Sequence, residues 1–138
     1  MTDAKTYLRQ VKLLDIHISN KLEELQRLKD LSFKISSSLN PNFVSGSRNL
    51  DRIGDAIAKI VDLEAEINRE IDLYVNKKRE ITDVIEKVTD PDQLDVLYRR
   101  YIQFETFETI ASEMNMTYRN ACYIHGKALQ TVEQLLSI

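Results

Sequence analysis

The sequence predicts an all-α protein, a long antiparallel helical hairpin followed by a C-terminal helix-turn-helix domain. Three observations carry this prediction. The 138 residues include only three Gly, two Pro and no Trp, so helix breakers are scarce. Apolar residues recur at alternating three- and four-residue steps over two long stretches. And the window from Phe107 to Gly126 has the caps, turn residue and small-residue spacing of two short helices that cross closely.

From Asp3 to Ile35 the residues Val11, Leu14, Ile18, Leu25 and Leu28 form one apolar stripe, widened by Leu22 and Leu31, which predicts a single helix over 3–35. Lys12, Lys21, Glu23, Glu24, Arg27, Lys29 and Asp30 between them make a mixed-sign solvated surface, and His17 off the stripe belongs to it. Residues 36–49, rich in Ser, Asn, Pro and Gly, break the period and predict a loop, in which Phe43 and Val44 tuck against the helices or meet a partner.

A second seam runs through Leu50, Ile53, Ile57, Ile60, Ile67, Ile71, Tyr74, Ile81, Ile85 and Val88, interrupted by Glu64 and Lys78 as register-setting or partly exposed positions. A helix over 50–88 would be about 60 Å long and cannot bury its stripe alone. Antiparallel pairing with the first helix solves this and makes residues 1–90 a coiled-coil arm. Ile81, Ile85 and Val88 lie beyond the reach of the shorter first helix. The head or a second subunit should cover them, so homo-oligomerisation through the arm is one expectation. Asp62, Glu66 and Glu70 read as a solvated face and not as metal ligands.

The boundary is expected at Thr89 to Gln93. Asp90 can cap a new helix, Pro91 suits its first position and Gln93 can complete a capping box, so residues 91–138 form the head. Leu94, Leu97, Tyr98 and Tyr101 should face inward, with Arg99 and Arg100 outward. Thr106 and Thr117 then cap two further helices, and Glu108 suits the first turn of the former. Ile110 and Ala111 let the two cross. Asn115, between Met114 and Met116, supplies the left-handed turn residue, and Ala121 and Ile124 complete the buried side of the last helix.

The opposite face of that helix carries the candidate DNA-binding residues: Thr117, Tyr118, Arg119, Asn120, Cys122, Tyr123 and Lys127, with Gly126 among them. Arg119 can pair bidentately with guanine and Asn120 with adenine, while Tyr118 and Tyr123 can meet thymine methyls or phosphate, or else pack against the arm. Arg99, Arg100 and Lys127 suit phosphates. Cys122 and His125 stand three apart, but no second ligand pair accompanies them, so no metal site is expected. No phosphate-binding loop or nucleophile constellation occurs either, so neither an enzyme nor a cofactor is expected.

Net charge is −3, and residues 92–138 carry four Lys or Arg against six Asp or Glu, which predicts weak, assisted DNA binding. Lys5, Arg9, Lys12 and Lys21 on the first helix are candidates for that assistance. A single Cys, no charged-then-apolar leader and no apolar run of about 18 to 20 residues make the cytoplasm the expected compartment, with no membrane partner.

The run Arg100-Tyr101, then Thr106 to Ala111, then Met114 to Thr117, then His125 to Leu129 resembles region four of sigma-70-type RNA polymerase sigma factors. The arm and head together resemble small phage and prophage proteins near the ArpU and RinA groups of transcriptional regulators, with KTYLRQVKLLDIHISNKLEEL and KIVDLEAEINREID among the matching runs. The resemblance implies a non-enzymatic, sequence-specific regulator of transcription that binds double-stranded DNA and meets RNA polymerase or another phage protein. The alternative from a different class is a coiled-coil adaptor or packaging protein whose head binds protein and not DNA.

Overall fold

The computed structural model describes residues 3–37 and 46–138, and it is all-α, with no strand among the described residues. Six helices follow one another there: α1 (Ala4–Leu8), α2 (Gln10–Ser37), α3 (Gly46–Glu86), α4 (Pro91–Tyr101), α5 (Phe107–Glu113) and α6 (Tyr118–Leu136). The expected first helix is present as α1 and α2, separated only at Arg9, whose own backbone is right-handed helical (φ −72, ψ −10). Of the loop expected over 36–49, residues 36–37 belong to α2 and residues 46–49 to α3, and residues 38–45 lie outside the described residues. Phe43 and Val44 lie outside the described residues. No helix among the described residues is long and apolar enough to cross a membrane.

By internal contacts the chain forms two compact units, Met1–Asp15 with Leu73–Ile138, and Ile16–Asp72. This division differs from a boundary at residue 90. The reason is a shared core: Ala4, Leu8 and Val11 from the chain start and Ile81, Ile85 and Val88 are buried in one cluster with Leu97, Tyr101, Ile102, Ala128 and Val132. Ile81 and Ile85 are fully buried, each contributing about 1.5–3 kcal/mol of apolar transfer. The residues expected to outrun the first helix are therefore covered within the same chain. On α1, Tyr7 donates its hydroxyl to Glu80 of α3 at 2.6 Å. Burial first, and then that bond, push the Tyr7 phenol above its ordinary range.

In the unit Ile16–Asp72, α2 and α3 run antiparallel. Lys21 meets Glu66 at 2.8 Å and also pairs with Glu70, while Leu28, Leu31 and Ile35 share a shallow concavity with Arg52, Asp55, Ala56 and Lys59. Leu25, Ile35, Ala56 and Ile67 are the buried seam residues there. One track of the expected second seam is displaced by one residue. Leu50, Ile57 and Ile71 are exposed, and Ala56, the half-buried Leu63 and Glu70 take the inward track instead. Leu22 and Leu31 do not widen the stripe but are exposed. Glu64 is exposed as well, and Lys78 is half-buried, 5.6 Å from the Tyr74 ring centre. The polar interruption of the seam is Lys21 with Glu70, one oxygen of which is buried without a hydrogen-bond partner. A paired charge in an apolar seam disfavours shifted registers, which would leave it unpaired.

The head elements follow their local signals. Asp90 caps α4, accepting from the backbone N–H of Asp92 and of Gln93, each at 3.0 Å, with Pro91 first in the helix. The capping box is not closed, because the Gln93 side chain turns to accept from the Thr131 hydroxyl on α6 at 2.7 Å. α4 buries two edges. Leu97 and Tyr101 enter the main cluster, and Val96 enters a second one with Ile110, Ala111 and Ala121. Tyr98, expected inward, is exposed, since the side of α4 that meets both clusters is centred on Val96 and Leu97.

Candidate nucleic-acid interface

The connection between α5 and α6 is built locally. Thr106 accepts from Thr109 N–H at 3.2 Å to start α5, and Thr117 accepts from Asn120 N–H at 3.0 Å to start α6. Asn115 lies between them in the left-handed region, φ 56. Its N–H reaches the Ser112 carbonyl at 3.3 Å, and the next N–H, of Met116, reaches the Ala111 carbonyl at 2.9 Å. This pair of bonds closes a helix C-terminus with the turn residue left-handed. Ile110, Ala111 and Ala121 are buried between the two helices, while Phe107, Met114, Met116 and Ile124 pack at the edge of that cluster.

A second left-handed residue, Phe104 at φ 60, connects α4 to α5. A bulky side chain there is strained. The conformation is held by the Glu105 N–H bond to the Arg99 carbonyl, 2.9 Å, and by packing of Phe104 on the main cluster. Nothing in the local sequence signals it.

The outward face of α6 carries most of the expected residues together. Tyr118, Arg119, Asn120, Tyr123 and Lys127 are exposed, and Cys122 is half-buried. Cys122, Tyr123, Gly126, Lys127 and Gln130 line a shallow concavity. Arg119 forms no ion pair among the described residues, which leaves its guanidinium fork open. Asn120 directs its amide toward the Met116 sulfur at 3.8 Å, and the Lys127 ammonium lies 5.7 Å from the centre of the Tyr123 ring. Tyr118 meets Phe107 edge-on at 6.5 Å between ring centres, and the neighbouring Cys122 thiol raises its phenol above the usual range. Thr117 uses its hydroxyl as the cap.

Arg99 and Arg100 diverge. Arg99 bonds Asp95 at 3.0 Å and Glu105 at 3.4 Å and also pairs with Glu113, so its charge is already compensated. Burial first, then the adjacent Glu113 carboxyl, raise Glu105 above the ordinary carboxylate range. Three of the six head carboxylates thus gather around one arginine, and the acidic excess of residues 92–138 is concentrated there. Arg100 stacks over Phe107, 4.4 Å from the ring centre, and donates to the Glu105 carbonyl at 3.0 Å; among the described residues it forms no ion pair.

His125 is a core residue that the outward-face assignment misses. It is 9% exposed, its Nε2 lies 2.6 Å from the Tyr101 hydroxyl, and the Phe107 ring meets it edge-on at 4.8 Å. Burial, with Arg100 and Lys5 nearby, lowers its pKa to about 4, so at neutral pH it is the uncharged partner of Tyr101. The signal available in the sequence was its spacing, four after Ala121 and three before Ala128, which are both buried.

No curated protein and no solved structure matches the chain. One family model, described as a protein of unknown function (DUF1492), matches residues 34–133. That match takes in most of the chain, from the end of α2 through nearly all of α6, and so the protein belongs to the DUF1492 family.

Proposed function

We propose that this protein is a sequence-specific DNA-binding regulator of transcription, of phage type and without catalysis of its own, in which α5 and α6 act as a helix-turn-helix like that of sigma region four. The observation that carries this reading is the α6 face itself. The Asn115 turn and the two threonine caps orient α6, and Tyr118, Arg119, Asn120, Tyr123 and Lys127 stand on its solvent side. The acidic excess of the head is consistent with this reading, because half of the carboxylates lie around Arg99. Double-stranded DNA is the proposed ligand, with RNA polymerase or another phage protein as the further partner.

The test is selection of bound genomic fragments by the full chain, followed by titration of selected and random duplexes. Arg119→Ala should lose about 1 to 3 kcal/mol at one base pair and flatten discrimination there. Equal binding of selected DNA by wild type and Arg119→Ala, with loss of a protein partner in the variant, would transfer the assignment to the second reading. That reading, a coiled-coil adaptor or packaging protein, is favoured by a different observation, the exposed Leu50, Ile57, Val61 and Ile71 on α3.

A further inference from the structure

Lys5, Arg9 and Lys12 are spaced by four and three residues, which places them on one side of α1 and the start of α2. On the adjoining side Ala4, Leu8 and Val11 are fully buried, and beyond that buried strip Tyr7 turns to Glu80 of α3. The three cations therefore occupy the flank away from α3, and α1 packs against α6. All three are exposed, and none forms an ion pair among the described residues.

The cluster that buries Ala4, Leu8 and Val11 also buries Tyr101, the residue that follows Arg100. The Arg100 guanidinium lies over Phe107, whose ring also meets His125 and, at the start of α6, Tyr118. The buried Tyr101 and His125 pair lies among these charges, Arg100 and Arg9 acting on the phenol and Arg100 and Lys5 on the imidazole. The one carboxylate in this neighbourhood that also acts on Tyr101, Asp3, is the N-cap of α1 and accepts from Lys5 N–H. Lys5, Arg9 and Lys12 stand about one turn apart with no carboxylate among the described residues paired to them, and a bound polyanion would relieve the repulsion between them.

We infer that Lys5, Arg9, Lys12 and Arg100 form a track for the phosphodiester backbone of duplex DNA, beside the outward face of α6. This rests on the DNA-binding reading and supplies the assistance that a net acidic head needs. A row of cations suits a polyanion whose charge is continuous. A protein partner would want an apolar centre, whereas the exposed Leu13 and Ile16 lie past the end of the row, beyond Lys12, and not within it. Lys21 does not belong to the track, since it pairs with Glu66 and Glu70.

The experiment compares full-length wild type, the triple variant Lys5→Gln/Arg9→Gln/Lys12→Gln and, as a surface control, Lys59→Gln. Each is titrated with selected and random duplexes at several salt concentrations, after circular dichroism has confirmed equal helix content. The triple variant should weaken both duplexes in equal proportion, keep their ratio, and reduce the slope of log K against log salt by about 2 to 3. The control should match wild type. A wild-type slope in the triple variant, with DNA still bound, overturns the track and leaves the DNA-binding reading intact. Absence of duplex binding by wild type at low salt removes both.

Discussion

The hydroxyl of Tyr101 and Nε2 of His125 lie 2.6 Å apart with their rings stacked, and this polar pair bridges α4 and α6 inside the core. Burial pushes the Tyr101 phenol up to about 12 and the His125 imidazole down to about 4, so both are neutral at pH 7. The phenol then donates and the imidazole accepts.

This pair makes stability depend on pH. In the unfolded chain His125 takes up a proton near its ordinary value of 6.5, whereas in the fold it does so only near 4. Its contribution is fully present above 6.5 and is lost as pH falls through the window between the two values, because there the unfolded state binds the additional proton. The expected loss from pH 7 to pH 4 is about 2 kcal/mol after allowance for solvent screening. Urea unfolding at several pH values should show that slope in wild type and a flatter one in His125→Gln. Equal slopes would mean that other groups carry the acid sensitivity.

The Asn115 turn is a second point of test. A left-handed conformation costs most side chains roughly 1–2 kcal/mol, asparagine less and glycine nothing. Asn115→Gly should therefore be neutral or more stable by about 0.5 kcal/mol, and Asn115→Val less stable by about 1–2 kcal/mol. Denaturation midpoints check both, and a valine variant as stable as wild type would show that the turn does not require φ 56.

Gly126 is costly within a helix, by roughly 1 kcal/mol relative to alanine. A Cβ at Gly126 would meet nothing within 4 Å, so packing inside the chain does not demand the glycine. Gly126→Ala should raise stability by about 0.5–1 kcal/mol. Because the residue lines the concavity with Tyr123 and Lys127, the added methyl should at the same time weaken binding to selected duplex DNA. Greater stability with unchanged DNA affinity would place the contact elsewhere on α6.

Features that depend on neighbours in the chain were legible in the sequence by itself. Asp90, Thr106 and Thr117 cap helices because their side-chain oxygens reach backbone N–H groups two or three residues on, and Asn115 turns left-handed where the chain must reverse. The all-α class and the antiparallel course of α2 and α3 in the unit Ile16–Asp72 follow from the two apolar periods. Tertiary structure decided what periodicity leaves degenerate. Ile57 and Ile71 are more apolar than Ala56 and Glu70, yet the latter face inward, because the partner's geometry and the Lys21 pairing choose between adjacent tracks. Tyr98 is exposed while Val96 and His125 are buried, since α4 and α6 each meet more than one neighbour. Arg99 is absorbed by three carboxylates, two of them beyond its own helix, and Ala4, Leu8 and Val11 share a core with Tyr101, Ala128 and Val132 only because the chain start packs on the head. Charges far apart in sequence become neighbours through packing, and packing is the part of the physics that a one-dimensional pattern does not contain.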